Sequence, residues 1–378
     1  MLAIKKTWGL FSMLLLVILL AGSLAGAAQG GFSAESFIDE VATGIDDKSK
    51  QLVLDYDSVP DDLDVDKLGA LIEEGIAAAS PYQANTISDW QMKLSSTSSG
   101  AEIELIFNYH STLQEDEKVF ILVTEIMDEL LEPGMNIHYK LKEVVDYISE
   151  NVEYDFSLGN HSAYSALKDG QVTCQGYSLL THLFLEEMGI ENIFIDGELQ
   201  ESGLPHVWNL VLLGDDWFHL DVTQISYHQQ VYGKLFYNEY LVSDKALGVT
   251  HNWERQDYPE AGSCYLKLLT GKESLSDEKR DLLIYELNLH LLQGEYTVVK
   301  QEEVVEKIIS TLLNSESSLQ LRLPRNLARE ANILVREALE VEPEAGRDLA
   351  SWSVMIYSQY LRAVEDDQVI LEYDFQYN

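Results

Sequence analysis

Three residues of this chain have the types and the order for covalent chemistry: Cys174, His206 and Asp221. Cys174 stands in Thr173-Cys174-Gln175-Gly176-Tyr177, where the apolar spacing predicts a helix from about Cys174 to Met188. At a helix start, backbone N–H groups and the helix dipole favour thiolate, the nucleophilic form. His206 stands at the opening of a strand expected over Val207–Leu213, and an imidazole beside a thiol can take its proton. Asp221 ends the next expected strand, Trp217–Asp221. Gly214-Asp215-Asp216 reads as a hairpin turn between the two, so a carboxylate could reach the second imidazole nitrogen and fix its tautomer. Taken singly, each residue is ordinary. A cysteine at a helix start is more often a small buried hydrophobe, and a strand-edge histidine is more often structural. His219 should share the face of Asp221 and reads as structural or as part of the rim.

The elements around these residues divide the chain. Residues 28–50 read as a linker. A β-α-β-β order is expected over 51–112, from a strand at Gln51–Tyr56, a helix at Val65–Ala79 and strands at Ile87–Ser95 and Glu102–Tyr109. Residues 113–265 form the central domain, opened by helices at Glu115–Leu131 and Tyr139–Asn151. Residues 266–318 read as a helical connection. Residues 319–378 repeat the β-α-β-β order, with strands expected at Leu319–Leu323, Ser351–Arg362 and Gln368–Tyr377. Trp90 and Trp352 fall at matching places in the two copies, which points to a duplicated small α/β module.

The run Ala163 to Tyr177, followed by His206-Val207-Trp208-Asn209 and by Trp217 to Thr223, closely resembles the bacterial transglutaminase-like superfamily. Upstream, Met135 to Asp155 is similar to the helix and Tyr-Asp element that precede that core. Downstream, Tyr240 to Asp244 and His251 to Pro259 are similar to its continuation. The resemblance covers about 135–260. It implies an α+β fold with a papain-like transglutaminase-like centre flanked by the small β-α-β-β modules. It also implies Cys174 as nucleophile, His206 as base and Asp221 as orienting acid. Gln224 stands where many relatives carry an aromatic residue, a departure in the substrate groove. The implied activity is thiol acyl transfer on peptide or carboxamide bonds: peptidase or amidase action if water resolves the thioester, protein-glutamine transfer if an amine does. A non-catalytic surface or structural protein that keeps the fold is the alternative, and its expected mark would be a lost triad residue.

Composition narrows the partners. The formal charge is −39, from 64 acidic against 25 basic residues, a surface that repels nucleic acid and anionic lipid. A protein or peptide substrate is expected, cell-envelope proteins included. The acidic clusters at Asp61-Asp62-Leu63-Asp64 and Glu302-Glu303 lack the spacing of a calcium loop. The nine histidines show no metal-site spacing, and no phosphate-binding glycine loop is present, so no metal and no cofactor is expected. Lys5, Lys6, the apolar run Leu10 to Leu20 and Ala25-Gly26-Ala27 read as a signal peptide over 1–27, cut near Ala28 and sending the chain to the cell exterior. The stretch Gly9 to Ala28 is also long enough for a signal anchor, and no other membrane contact is expected. Export would permit a Cys174–Cys264 disulfide, which would block the nucleophile. Cys264 is otherwise expected to be buried.

Overall fold

The computed structural model describes residues 30–96, 100–271, 275–292, 297–328, 331–357 and 368–378. The expected signal segment and its cleavage point lie outside these residues. Among the described residues no helix is long and apolar enough to cross a membrane. The chain divides into two compact units. One takes in the first module and most of the central domain, up to Asp215 with 220–235 and 251–260; the other comprises 216–219, 236–250 and 261–378.

The first module begins earlier than its sequence suggested. The segment read as a linker folds as helix α1 (Ala34–Asp46), capped by Ser33, whose side chain accepts from the Ser36 N–H. Phe37, Val41 and Ile45 repeat at four-residue spacing along one face and are fully buried, so burial of that stripe makes the segment part of the core. Strand β1 (Gln51–Tyr56), helix α2 (Val65–Ala78), the short α3 (Pro81–Asn85), β2 (Ile87–Ser96) and β3 (Ala101–Tyr109) follow. The strands form an antiparallel sheet in the order β1-β3-β2, with α1 and α2 covering one face.

The central domain opens with α4 (Leu113–Leu130), whose start is fixed by a reciprocal capping box between Thr112 and Glu115. After it come α5 (Ile137–Asn151), β4 (Glu153–Tyr154), α6 (Ala163–Asp169), β5 (Gln171–Val172), α7 (Cys174–Glu187), β6 (Asn192–Leu199), β7 (Pro205–Leu213), β8 (Asp216–Leu220), α8 (Val222–Tyr232), α9 (Asp244–Leu247) and β9 (His251–Asn252). Helix α7 is buried continuously from Gly176 to Leu185, the mark of a central helix enclosed on all sides, with its buried Ser178 and His182 hydrogen bonded. The site-bearing sheet has the order β8-β7-β6-β9. A tight turn with Gly214 at φ 62° joins β7 to β8, as the sequence predicts.

The second unit carries α10 (Tyr265–Leu269), α11 (Asp277–Glu286), α12 (Gln301–Leu313), β10 (Ser318–Pro324), α13 (Arg325–Ala328), α14 (Ala331–Val341), β11 (Leu349–Tyr357) and β12 (Gln368–Tyr377). Its last sheet has the order β10-β12-β11, the same as the first module's. The match extends to register. Trp90 faces Phe107 and Trp352 faces Phe375, and in each hairpin the register shifts at the residue two before the tryptophan. Tyr109 donates its hydroxyl to the Ser49 carbonyl (3.1 Å), and Tyr377 donates to that of Glu316 (2.8 Å). Helix α12 stands where α1 does, so both copies are α-β-α-β-β units. Strand β11 ends at Tyr357, and the rest of the strand expected to Arg362 lies outside the described residues.

Candidate active site

Cys174 is the first residue of α7, partly exposed and free. Two contacts position this helix start. Gly176 packs so closely that a Cβ there would lie 2.6 Å from the Val172 Cβ and 3.1 Å from the Ser162 carbonyl oxygen. The side chain of Gln175 donates to the Asn85 carbonyl (2.7 Å), tying the residue after the nucleophile to the first module. Further along, Ser178 Oγ donates to the Val207 carbonyl (2.9 Å), which fixes α7 against β7.

His206 lies on β7 opposite Gly197 of β6, and Asp221 follows the end of β8 as the N-cap of α8. His206 Nε2 donates to Asp221 Oδ2 at 2.7 Å. The other ring nitrogen, Nδ1, is thereby left for Cys174, with which the imidazole is also hydrogen bonded. The Asp221 carboxylate serves two structures at once, because its Oδ1 accepts the Gln224 N–H (3.2 Å) that opens α8. The cap uses only the backbone of Gln224, so the departure noted there leaves this contact intact. The three residues selected from sequence thus meet at one place.

A fourth residue meets them that the sequence analysis did not select. His251 Nε2 lies 3.0 Å from the same Asp221 Oδ2, fully buried. It arrives on β9, which pairs with β6 through Leu199↔His251 and Glu198↔Asn252, while β7 pairs with the other edge of β6. The Trp208 ring packs against both imidazoles, stacked on His206 (5.8 Å) and edge-on to His251 (4.9 Å), while the two imidazoles lie 5.3 Å apart. Gly197 leaves room for that ring, since a Cβ would sit 2.7 Å from it and 2.5 Å from the Asn252 carbonyl oxygen.

Burial works against a charged His206, but the charge and hydrogen bond of Asp221, with Cys174 adding to them, outweigh it and raise the imidazole to about 10. Burial likewise opposes the Asp221 carboxylate, and the two imidazoles overcome it, holding its pKa well below the ordinary range. The dipole of α8 favours the same ionised form. The arrangement is a buried imidazole–carboxylate pair beside the Cys174 side chain.

His206, Asp221 and His251 also offer ligand atoms within 4.8 Å of one another, a set that could hold a metal ion. Two hydrogen bonds to one carboxylate oxygen account for the same close approach. No sequence spacing announces the cluster, because its members come from β7, the α8 cap and β9. His219 faces Asp244 instead (2.7 Å), consistent with a structural part. Cys264 is exposed, not buried as expected, because it precedes α10 as a cap and points no side chain into a core; both cysteines are free.

Cysteine, histidine and aspartate thus stand in this chain order within an α+β domain. Residues 124–222 match the family model of the transglutaminase-like superfamily, so the chain carries a transglutaminase-like domain. Among solved structures, the chain is similar to a TGase, at 14% identity over 46% of this chain and 50% of the other, with a TM-score of 0.27. It is also similar to a protein from Cytophaga hutchinsonii provisionally described as a cysteine protease, at 13% identity over 46% and 73%, with a TM-score of 0.26. The chain thus spans half the length of the first of these. No curated protein matches the sequence.

Proposed function

We propose that this chain is a thiol acyl-transfer enzyme in which Cys174 attacks the carbonyl carbon of a peptide or side-chain carboxamide. The observation that carries the reading is the buried His206–Asp221 hydrogen bond of 2.7 Å with Cys174 on the other side of the imidazole. The Cys174 sulfur forms a bond to the carbonyl carbon while His206 holds the thiol proton. As the C–N bond breaks, His206 passes that proton to the departing amine. The thioester left on Cys174 is resolved by water, whose proton returns to His206. Asp221 keeps the Nε2–H tautomer and stabilises the cation, and His251, through the same carboxylate oxygen, is a positioning residue for Asp221. The Cys174 N–H, in the first turn of α7 where no intrahelical acceptor exists, is the candidate oxyanion donor.

Hydrolysis is favoured over amine transfer, since an exported enzyme works in an excess of water. Export itself is supported by the N-terminal sequence pattern. The test is alkylation of the native protein by iodoacetamide with mapping of the labelled cysteine, followed by incubation with a glutamine-containing protein and a labelled primary amine. Labelling of Cys174 near neutral pH that is lost in His206→Ala supports the triad. Stable, Cys174-dependent incorporation of the amine would replace hydrolysis by transfer. A Cys174→Ala variant equal to wild type in peptide, amide and amine-transfer assays would return the domain to a binding role.

A further inference from the structure

The loop between β4 and the nucleophile is built at a cost that its own folding does not explain. Tyr154 pairs with Val172, and Asp155 N–H donates to the Val172 carbonyl (2.9 Å), so the loop starts beside the residues that lead into Cys174. Asp155 then closes it with four hydrogen bonds: Oδ1 accepts from the N–H and hydroxyl of Ser157, and Oδ2 accepts from the N–H groups of Gly159 and Asn160. Asn160 in turn accepts the Thr173 N–H (2.8 Å). His161 braces the far end, with Nε2 donating to the Leu158 carbonyl (2.9 Å) and Nδ1 on the Thr173 hydroxyl (2.8 Å). The loop holds Leu158 at φ 57°, a left-handed conformation that costs a branched, non-glycine residue about 1 kcal/mol or more.

What this rigid frame displays is apolar and turned to solvent. Phe156 is 66% exposed and Leu158 59% exposed. Phe156 packs edge-on between Tyr154 (5.2 Å, 69°) and Tyr227 of α8 (6.2 Å, 66°). Tyr154 links this ladder to the chemistry: burial, and after it the charge of Cys174, raise its hydroxyl to about 12. A hydrophobic pair that stays more than half exposed despite these ring contacts, held in a strained and braced loop that bonds to Thr173 beside the nucleophile, is arranged for a ligand.

We infer that Tyr154, Phe156, Leu158 and Tyr227 form a substrate subsite that takes a large apolar side chain of a peptide, next to the carbonyl that Cys174 attacks. The inference rests on the thiol-triad reading and gives it a substrate class. A peptide side chain suits the wall better than a sugar does. Edge-to-face rings make a notch and not the flat platform that a sugar face needs, and Phe156 and Leu158 bring no polar group for hydroxyls.

The test uses two affinity labels, acetyl-Ala-Phe and acetyl-Ala-Ala chloromethyl ketone. In each the Cys174 sulfur bonds to the methylene carbon as the carbon–chlorine bond breaks and chloride leaves. The expected result is labelling of Cys174 about tenfold faster with the phenylalanine probe, the size of effect when a benzyl group leaves water on one side. Phe156→Ala reduces that ratio to about one. Leu158→Gly reduces it as well without lowering Tm, because glycine suits the left-handed position; a residue kept only for structure would not lose selectivity while the fold holds. Iodoacetamide, which has no side chain for the wall to hold, reports on the nucleophile separately. If it fails to label Cys174 in the native protein, the triad reading falls and the subsite with it. If it labels Cys174 while the two ketones react equally, or while Phe156→Ala keeps the preference, the subsite alone is overturned. Protection of Cys174 by an amino-sugar oligosaccharide but not by a phenylalanyl peptide would overturn it in favour of a glycan surface.

Discussion

After α1 the chain turns through Lys48 at φ 54°, and after α12 it turns through Ser315 at φ 55°. The two residues hold the same place in the two copies of the module, yet only one of them is put to further use. Lys48 is buried, donates to the carbonyl and hydroxyl of Ser111 (3.1 and 2.8 Å) and pairs with Asp116 of α4 at 2.7 Å. Ser315 is exposed. The helical turn before the second strand begins with proline in both copies, Pro81 in one and Pro343 in the other. In the first copy that turn ends at Asn85, whose carbonyl accepts the Gln175 side chain beside the nucleophile. The comparison teaches that what such a module needs in order to fold, its buried stripe and its strand register, is present in both regions. Outside that stripe the first region adds ties to the central domain, through Lys48 to Asp116 and through the Asn85 carbonyl to Gln175.

The sharpest way to break this comparison is to remove the paired side chains. Lys48→Ala leaves Asp116 charged and buried, at a cost of about 3–5 kcal/mol, and slows labelling of Cys174; Ser315→Ala stays within about 0.5 kcal/mol. Urea unfolding of both variants checks this, and equal losses would mean that the copies are used alike.

The next largest effect comes from pH. His206 is raised in the fold, so its contribution is complete below its ordinary value of about 6.5 and is lost as pH climbs towards about 10. His290 of the second unit is lowered by burial, so its contribution is lost in the other direction, as pH falls below about 6.5. Hydrogen exchange should therefore show β7 losing protection between about pH 6.5 and 10 while the last sheet does not, after correction for intrinsic exchange rates. His206→Gln should abolish that alkaline decline.

A smaller effect is expected from Gln175→Ala. Loss of its bond to Asn85 should cost about 0.5–1.5 kcal/mol and slow labelling of Cys174 by iodoacetamide. An unchanged labelling rate would mean that the first module leaves the nucleophile unsupported. Smallest of all, Ser315→Gly should leave the free energy of unfolding unchanged or raise it by up to about 1 kcal/mol of relieved left-handed strain. Lys48→Gly relieves the same backbone and should still destabilise, because the ion pair is gone. A Lys48→Gly variant as stable as wild type would show that the ion pair contributes nothing.

Much of the scaffold was legible because it is written in local spacing. Alternation over Glu102–Tyr109 and Val369–Gln376 marks strands, and the Gly214-Asp215 turn marks the hairpin that carries His206 and leads to Asp221. Helix α1 was legible too, and was missed. Ser33 as cap and the Phe37, Val41, Ile45 spacing were the available signals, but the segment is short, glycine-flanked and close to an apolar N-terminus. The exposure of Cys264 had no local signal, since a cysteine beside Tyr265 reads equally well as core.

The sequence by itself determined the nucleophile, the base and the acid as candidates, and the order in which the chain delivers them, because two of the three ride on one hairpin and the third on the start of an adjacent helical pattern. Only the tertiary structure decided that a second imidazole would share the acid. His251 lies 30 residues beyond Asp221 in sequence and reaches it through a two-residue strand pairing with the far edge of β6. The structure alone likewise decided that Lys48 would be buried against Asp116, and that Phe156 and Leu158 would be held out to solvent in a loop tied to Thr173. Hairpins and helix starts are set by neighbours along the chain. A buried charge pair, or an exposed apolar wall, is set by which distant segments the core brings together.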